Sequence, residues 1–256
     1  RNTGVGFQAL TSLTTGKDNT TMGFHSGYNL TTGLENVIIG NYAGDAITTE
    51  DECVLIGYGA GSALNDDAAD GTVAIGYLAG YNITTATFNT VIGYQAAMAQ
   101  TTGGGNTVIG YQAFKAAEDG EAGNVIIGAN AGDLITGDTA DDNVIIGNEA
   151  GRGGSGGLNR SVIIGRDAMK ATASNSSVGQ IAIGTAALGS VTSGLYNTAL
   201  GYFTGTKLAH ADADSNVFVG YGAGAGGDDT TGNNSANNNV GIGSLALGST
   251  ADFTAD

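Results

Sequence analysis

The 256-residue chain reads as an all-β protein: a parallel β-solenoid (β-roll) of about fourteen coils of 17–19 residues. Three observations predict this. A short phrase recurs from one end of the chain to the other. Apolar residues stand at fixed places within it. The residues between phrases carry turn chemistry. The phrase is plainest where NTVIGYQA is said twice, at 89–96 and 106–113.

Its glycine serves as the reference position. It falls at Gly6, Gly23, Gly40, Gly57, Gly76, Gly93, Gly110, Gly128, Gly147, Gly165, Gly184, Gly201, Gly220 and Gly243. Six of the intervals are 17 residues, two are 18, four are 19 and the last is 23. Such a period predicts one continuous repeat domain over residues 1–256, in which each coil completes a core that it cannot close alone. Repeats of the leucine-rich kind start at about 20 residues, so 17 favours a coil without a helix.

The elements follow in order along one coil. Four residues before the glycine stands Asn in ten copies. Asn19, Asn36, Asn89, Asn106, Asn124, Asn143, Asn197 and Asn216 are expected to form a ladder, each amide bonding the coils above and below. Positions −3 to −1 make a strand, because −3 is Val, Ile or Thr throughout and β-branched residues suit strands. Positions −3 and −1 share one face. The unbroken apolar column at −1 is expected to be the core: Ile39, Ile56, Ile75, Ile92, Ile109, Ile127, Ile146, Ile164 and Ile183. Position −2 is then expected to face outward. It carries Leu55, Val91, Val108, Ile126, Ile145 and Ile163, where a half-exposed strand would normally alternate with polar residues. An outward apolar strip marks an interface, so self-association is expected there.

The glycine turns the first corner. Ala at +3 in twelve copies and Gly at +4 in eight give a short second wall that is not helical. Thr at +8 in every 17-residue copy, followed by Thr or Ser, makes the second corner. Longer copies carry their extra residues there, often as Asp: Asp66, Asp67, Asp138, Asp141 and Asp142.

The phrases TVAIG (72–76), SVIIG (161–165) and QIAIG (180–184), each followed by x-x-Ala, resemble the repeats in heads of trimeric autotransporter adhesins (YadA-like). NTVIGYQA…TTG is similar to repeat arrays of bacteriophage tail fibres and related surface fibres. The resemblance implies a left-handed β-roll, a homotrimer, a place on a cell or virion surface, and attachment to glycans or a cell envelope.

Composition narrows the function. The net charge is −16, with eight Lys and Arg in all, which argues against nucleic acid, since phosphate neutralisation needs cations. No apolar run reaches 18 residues, so no helical membrane insertion is expected. Cys53 stands in the Asn ladder and is the single cysteine, so no internal disulfide forms, and extracellular life would rest on the ladders.

Catalytic chemistry finds no constellation. His25 and His210 lie far apart. Gly-rich 151–157 and 220–227 lack the Gly-Lys-Ser/Thr ending of a phosphate loop. No nucleophile, base and orienting group share a context. The expectation is a chain that is not an enzyme and has no resident cofactor. Only the Asp corners offer candidate metal ligands, and Ca²⁺ is the ion they would take. Aromatic residues at +1, among them Tyr58, Tyr77, Tyr94 and Tyr111, form either a row on which sugars stack or a ladder covering the glycine corner.

The expected role is a non-enzymatic structural or adhesive subunit of an extracellular fibre. The alternative is a bacteriophage tail-fibre shaft or receptor-binding fibre. The principal partner is a second copy of the chain. Thirteen residues follow Gly243 and Gly6 is the sixth residue, so Asp256 abutting Arg1 of another copy would keep a spacing of 19. Head-to-tail stacking through Arg1 and Asp256 is therefore expected.

Overall fold

The computed structural model describes residues 1–65, 69–117, 119–136, 140–153, 157–171, 177–191, 194–206, 208, 213–225 and 237–248. Contacts group them into two units, Arg1–Asn124 and Val125–Asp256, where the repeat alone suggests one. Each is built from the same parallel coil.

In the first unit, seven three-residue strands pair in sequence. They are β1 (Thr3–Val5), β2 (Thr20–Met22), β3 (Val37–Ile39), β4 (Val54–Ile56), β5 (Val73–Ile75), β6 (Thr90–Ile92) and β7 (Thr107–Ile109). The second unit holds β8 (Val125–Ile127), β9 (Val144–Ile146), β11 (Val162–Ile164), β13 (Ile181–Ile183), β15 (Thr198–Leu200), β16 (Val217–Val219) and β17 (Val240–Ile242). It adds a return wall of two-residue strands, β10 (Leu158–Asn159), β12 (Ser177–Val178) and β14 (Gly194–Leu195), which form their own parallel sheet. The solenoid makes about eleven turns of about 18 residues, fewer than the fourteen expected.

Pairing is parallel with no slip. Thr90 lies beside Thr107, Val91 beside Val108 and Ile92 beside Ile109; Val125, Ile126 and Ile127 lie beside Val144, Ile145 and Ile146. Equivalent residues therefore form columns, one step per strand spacing of about 4.8 Å. The glycine column fixes how closely coils approach. Gly93 has φ +142°, and a Cβ on it would lie 2.2 Å from the Gly110 carbonyl oxygen. No residue with a side chain fits that contact.

The facing of the strand is the reverse of the expectation. Position −2 points inward: Leu55, Val91, Val108, Ile126, Ile145 and Ile163 are wholly buried. Ala96, Ala113 and Ala131 at +3, and Leu30, Ile47, Leu64, Ile83 and Ile135 at +7, complete the core. The −1 column from Ile39 through Ile56, Ile75, Ile92, Ile109, Ile127, Ile146 and Ile164 is only partly covered, and Ile183 is 38% exposed. The reason is parity. Positions −4 and −2 differ by two and share a face. The Asn side chains must be inside to reach buried carbonyls, and they take −2 with them. Positions −3 and −1 are left outside.

Candidate interaction surfaces

Three surfaces follow from this coil: the outward strand face, the buried polar ladder and the outer side of the second wall. On the outward strand face, −3 and −1 side chains stand side by side. In the first unit it includes Val37 and Ile39, Val54 and Ile56, and Val73 and Ile75, each partly exposed. In the second it includes Val144 and Ile146, Val162 and Ile164, and Ile181 and Ile183. A sheet with one solvated face normally carries polar residues there. Each unit instead presents an unbroken apolar column at −1, beside a −3 column that is Val or Ile in the second unit except at Thr198 and is shared between Val and Thr in the first, at Thr3, Thr20, Thr90 and Thr107. Such a surface is suited to covering by another flat apolar face.

The polar ladder lies inside and is occupied by its own bonds. The Asn36 Nδ2 donates to Asn19 Oδ1 at 3.0 Å and to the Glu50 carbonyl at 2.7 Å, while the Cys53 N–H donates to Asn36 Oδ1 at 2.9 Å. Asn106 repeats the pattern: its Nδ2 donates to the Glu121 carbonyl at 2.8 Å, and its Oδ1 accepts the Asn124 N–H at 2.9 Å. Asn19, Asn89, Asn143, Asn197 and Asn216 are buried in the same column. Ser161 and Gln180 substitute with their own oxygens, Oγ of Ser161 accepting the Gln180 N–H at 3.2 Å. Cys53 holds its place as a buried thiol. Burial pushes its pKa from 9.0 to about 12, against the Thr72 N–H, which lowers it, while Glu50 and Asp70 raise it further. The thiolate that reacts with electrophiles is thereby suppressed.

On the second wall the two units differ. The first carries an aromatic column. Tyr58 and Tyr77 stack at 5.5 Å and 17°, Tyr77 and Tyr94 at 5.1 Å and 12°, and Tyr94 and Tyr111 at 5.4 Å and 11°. The rings cover one another's faces, which favours the ladder reading over a row open to sugars. Tyr42 breaks the column: it sits at +2 rather than +1, and its ring lies 72° from that of Tyr58. Beside this break is a cavity of about 440 Å³.

The second unit stacks Tyr202 on Tyr221 at 5.9 Å and 6°, and it carries ion pairs at +2 and +5. The Arg152 guanidinium lies 3.1 Å from Asp133 and 3.5 Å from Glu149, and Lys170 lies 3.1 Å from Asp167. Desolvation raises the Asp133 pKa from its usual value even with Arg152 beside it to lower it. Hydrogen bonds to Glu149 and Asp167 raise that of Lys170.

Among the described residues, the acidic corners are not brought together into a metal site. Asp66, Asp67 and Asp138 lie outside the described residues. The Asp141 carbonyl accepts the Arg160 N–H at 2.9 Å, and Asp142 adopts a left-handed conformation with φ 57°. Among the described residues, no group of three or more His, Cys, Asp and Glu side chains is arranged to hold a metal. Arg1 lies 3.6 Å from Asp18 on the surface; Asp256 and His210 lie outside the described residues. Among the described residues, no helix is long and apolar enough to cross a membrane.

Sequence reasoning missed the cavity residues Tyr42, Asp45, Gly59 and Tyr81. The available signal was the displacement of one aromatic residue from +1 to +2, followed by a glycine at +2 in the next copy. Comparison with protein-family models, curated proteins and solved structures finds no match.

Proposed function

We propose that the chain is a non-enzymatic building block of an extracellular fibre, and that it self-associates through the outward strand face. The observation that carries this reading is the unbroken apolar column at −1, partly exposed at residues such as Ile75 and flanked at −3 by Val, Ile or Thr. A partner copy offers the same flat, regularly spaced surface, and burying both faces removes apolar area from water at about 25 cal/mol per Å². The resemblance to YadA-like heads makes a homotrimer the preferred assembly. The wording NTVIGYQA…TTG keeps a bacteriophage tail-fibre shaft as the second reading. In both, coils continue end to end and the acidic surface limits lateral clumping.

Light scattering at micromolar concentration tests the association. A trimer, or a higher homo-oligomer, is expected for the native chain. The triple variant Ile75→Glu, Ile92→Glu, Ile109→Glu should remain folded and become monomeric, because these side chains stand outside the coil. A stable native monomer would refute the reading. Electron microscopy of the native particle then separates closed oligomers from filaments.

A further inference from the structure

We propose that the cavity at Gly59 binds a small organic cation through its ammonium head, a quaternary or alkylated amine. The inference concerns the second wall and stands apart from the fibre reading. Three features of the first unit point to it.

The first is a missing side chain. Position +2 carries Tyr42 in one copy and Leu78 two copies later, but Gly59 between them. The left-handed backbone persists there, with φ 58°, 61° and 54° in turn. Gly59 lines a cavity of about 440 Å³ that is open to solvent, and Leu78 and Tyr81 pack over the place its Cβ would take.

The second is the arrangement of rings. Tyr42 lies 71° from Phe24 and 72° from Tyr58. The rings of Tyr58 and Tyr77 face along the coil axis, so the faces of Tyr42 turn sideways, off the stack. Tyr42 lines the cavity together with Tyr58, Tyr77 and, from +5, Tyr81. Rings meeting at a corner offer a compact cation the electron-rich face that a cation–π contact needs. A sugar would need a broad free face, and Tyr58 and Tyr77 spend theirs on each other.

The third is charge. Asp45 lines the same cavity, oriented by the Ser62 hydroxyl, which donates to its Oδ1 at 2.5 Å. No Lys or Arg is among the lining residues, and the chain as a whole carries −16. The cavity thus joins aromatic surface to one fixed carboxylate, the pairing that favours an alkylated ammonium over an anion or a neutral molecule.

Choline is the probe, with 3,3-dimethyl-1-butanol as its uncharged isostere and methyl glucoside as the sugar control. Each is titrated into the folded chain while the tyrosine ring signals are followed by NMR. Choline should shift a subset of rings saturably, with a dissociation constant on the order of millimolar for a partly exposed site. The isostere should bind several-fold more weakly. Asp45→Asn should weaken choline by about threefold to tenfold. Gly59→Ala should abolish the shift, because its Cβ would lie 2.8 Å from Leu78 Cδ2 and 3.2 Å from Tyr81 Cδ2. Tyr42→Ala should also lose binding, and it adds no new backbone strain because position 42 already holds a side chain at φ 58°; circular dichroism confirms its fold. Equal binding of choline and its isostere, unchanged affinity in Asp45→Asn, preferential binding of methyl glucoside, or no saturable shift at about 100 mM choline would each overturn the proposal.

Discussion

Leu55 and Ile56 are neighbours of nearly the same volume, and they end on opposite sides of β4. Leu55 is wholly buried, whereas Ile56 is partly exposed. The same holds for Val91 and Ile92, and for Ile126 and Ile127. The difference teaches that apolar character does not rank the two faces of a short strand. What ranks them is the company each face keeps. The inner column meets Ala at +3, Leu or Ile at +7 and the Asn amides. The outer columns stay partly exposed.

Paired substitutions at adjacent positions test this most severely. Ile126→Asp places an unpaired carboxylate in the core and should cost about 4 kcal/mol or more, enough to unfold the second unit in urea titrations. Ile127→Asp, one residue on, should cost about 1 kcal/mol or less in the monomer, since the carboxylate stays in water. Its effect should appear in light scattering instead. Equal destabilisation by the two would erase the distinction between faces.

A smaller effect is expected where the coils touch through backbone. Gly93→Ala puts a Cβ 2.2 Å from the Gly110 carbonyl oxygen at φ +142°. Relieving that clash must spread two coils, and a loss of about 2–4 kcal/mol is expected. Gly105→Ala is the control, because its Cβ would meet nothing within 4 Å. Its own left-handed φ should cost about 1 kcal/mol. Calorimetry of the two variants should show the larger drop for Gly93.

The period, the strand and the glycine column were legible because each is a property of spacing. Thirteen intervals of one glycine need no knowledge of what lies inside. The facing was not legible from −3, −2 and −1 alone, since all three are apolar in copies such as Val37, Ile38 and Ile39. It could have been settled from −4, because a buried Asn at −4 forces −2 inward. The left-handed residues at +2 were hidden for another reason. Gln95, Tyr42 and Glu149 adopt φ of 54°, 58° and 55° without being glycine, asparagine or aspartate, the types that announce such a conformation. Gly59, Asn130, Asp167 and Gly222 announce it, and the other copies do not. The cavity depends on that position, and so it escaped the sequence.

The ladder that sets the facing can itself be weakened. Asn106→Val keeps the burial but removes the donor to the Glu121 carbonyl and the acceptor for the Asn124 N–H. Two buried backbone groups lose a partner, so a cost of about 2–3 kcal/mol is expected. A neutral outcome would mean that packing alone, not the amides, turns −2 inward.

Cys53 sharpens the point with pH. Its folded pKa is raised by burial from 9.0 to about 12. A raised pKa means that the folded chain holds its proton more tightly than the unfolded chain does. The thiol's contribution is therefore complete below pH 9.0 and is lost as pH rises toward about 12, at up to about 1.4 kcal/mol per pH unit. Cys53→Ala should lose stability less steeply over that window. Identical alkaline profiles would mean that water reaches the thiol.

The smallest effect separates the second walls of the two units. The aromatic column of the first is uncharged, whereas the second, beside its stacked Tyr202 and Tyr221, adds ion pairs such as Asp133 with Arg152, which look like strong ties at 3.1 Å. Yet desolvation is the largest influence on Asp133, and it raises the pKa from 3.8 in spite of Arg152. By linkage, a carboxyl with a raised folded pKa supports the fold fully below 3.8 and loses that support as pH rises through its folded value. Asp133→Asn keeps the shape and removes the ionisation. It should change stability by about 1 kcal/mol or less at pH 7, and its standing relative to the native chain should be better at pH 7 than at pH 3. Urea unfolding at both pH values checks the sign. A variant that falls further behind at pH 7 would show that the attraction to Arg152 outweighs the cost of burying the charge.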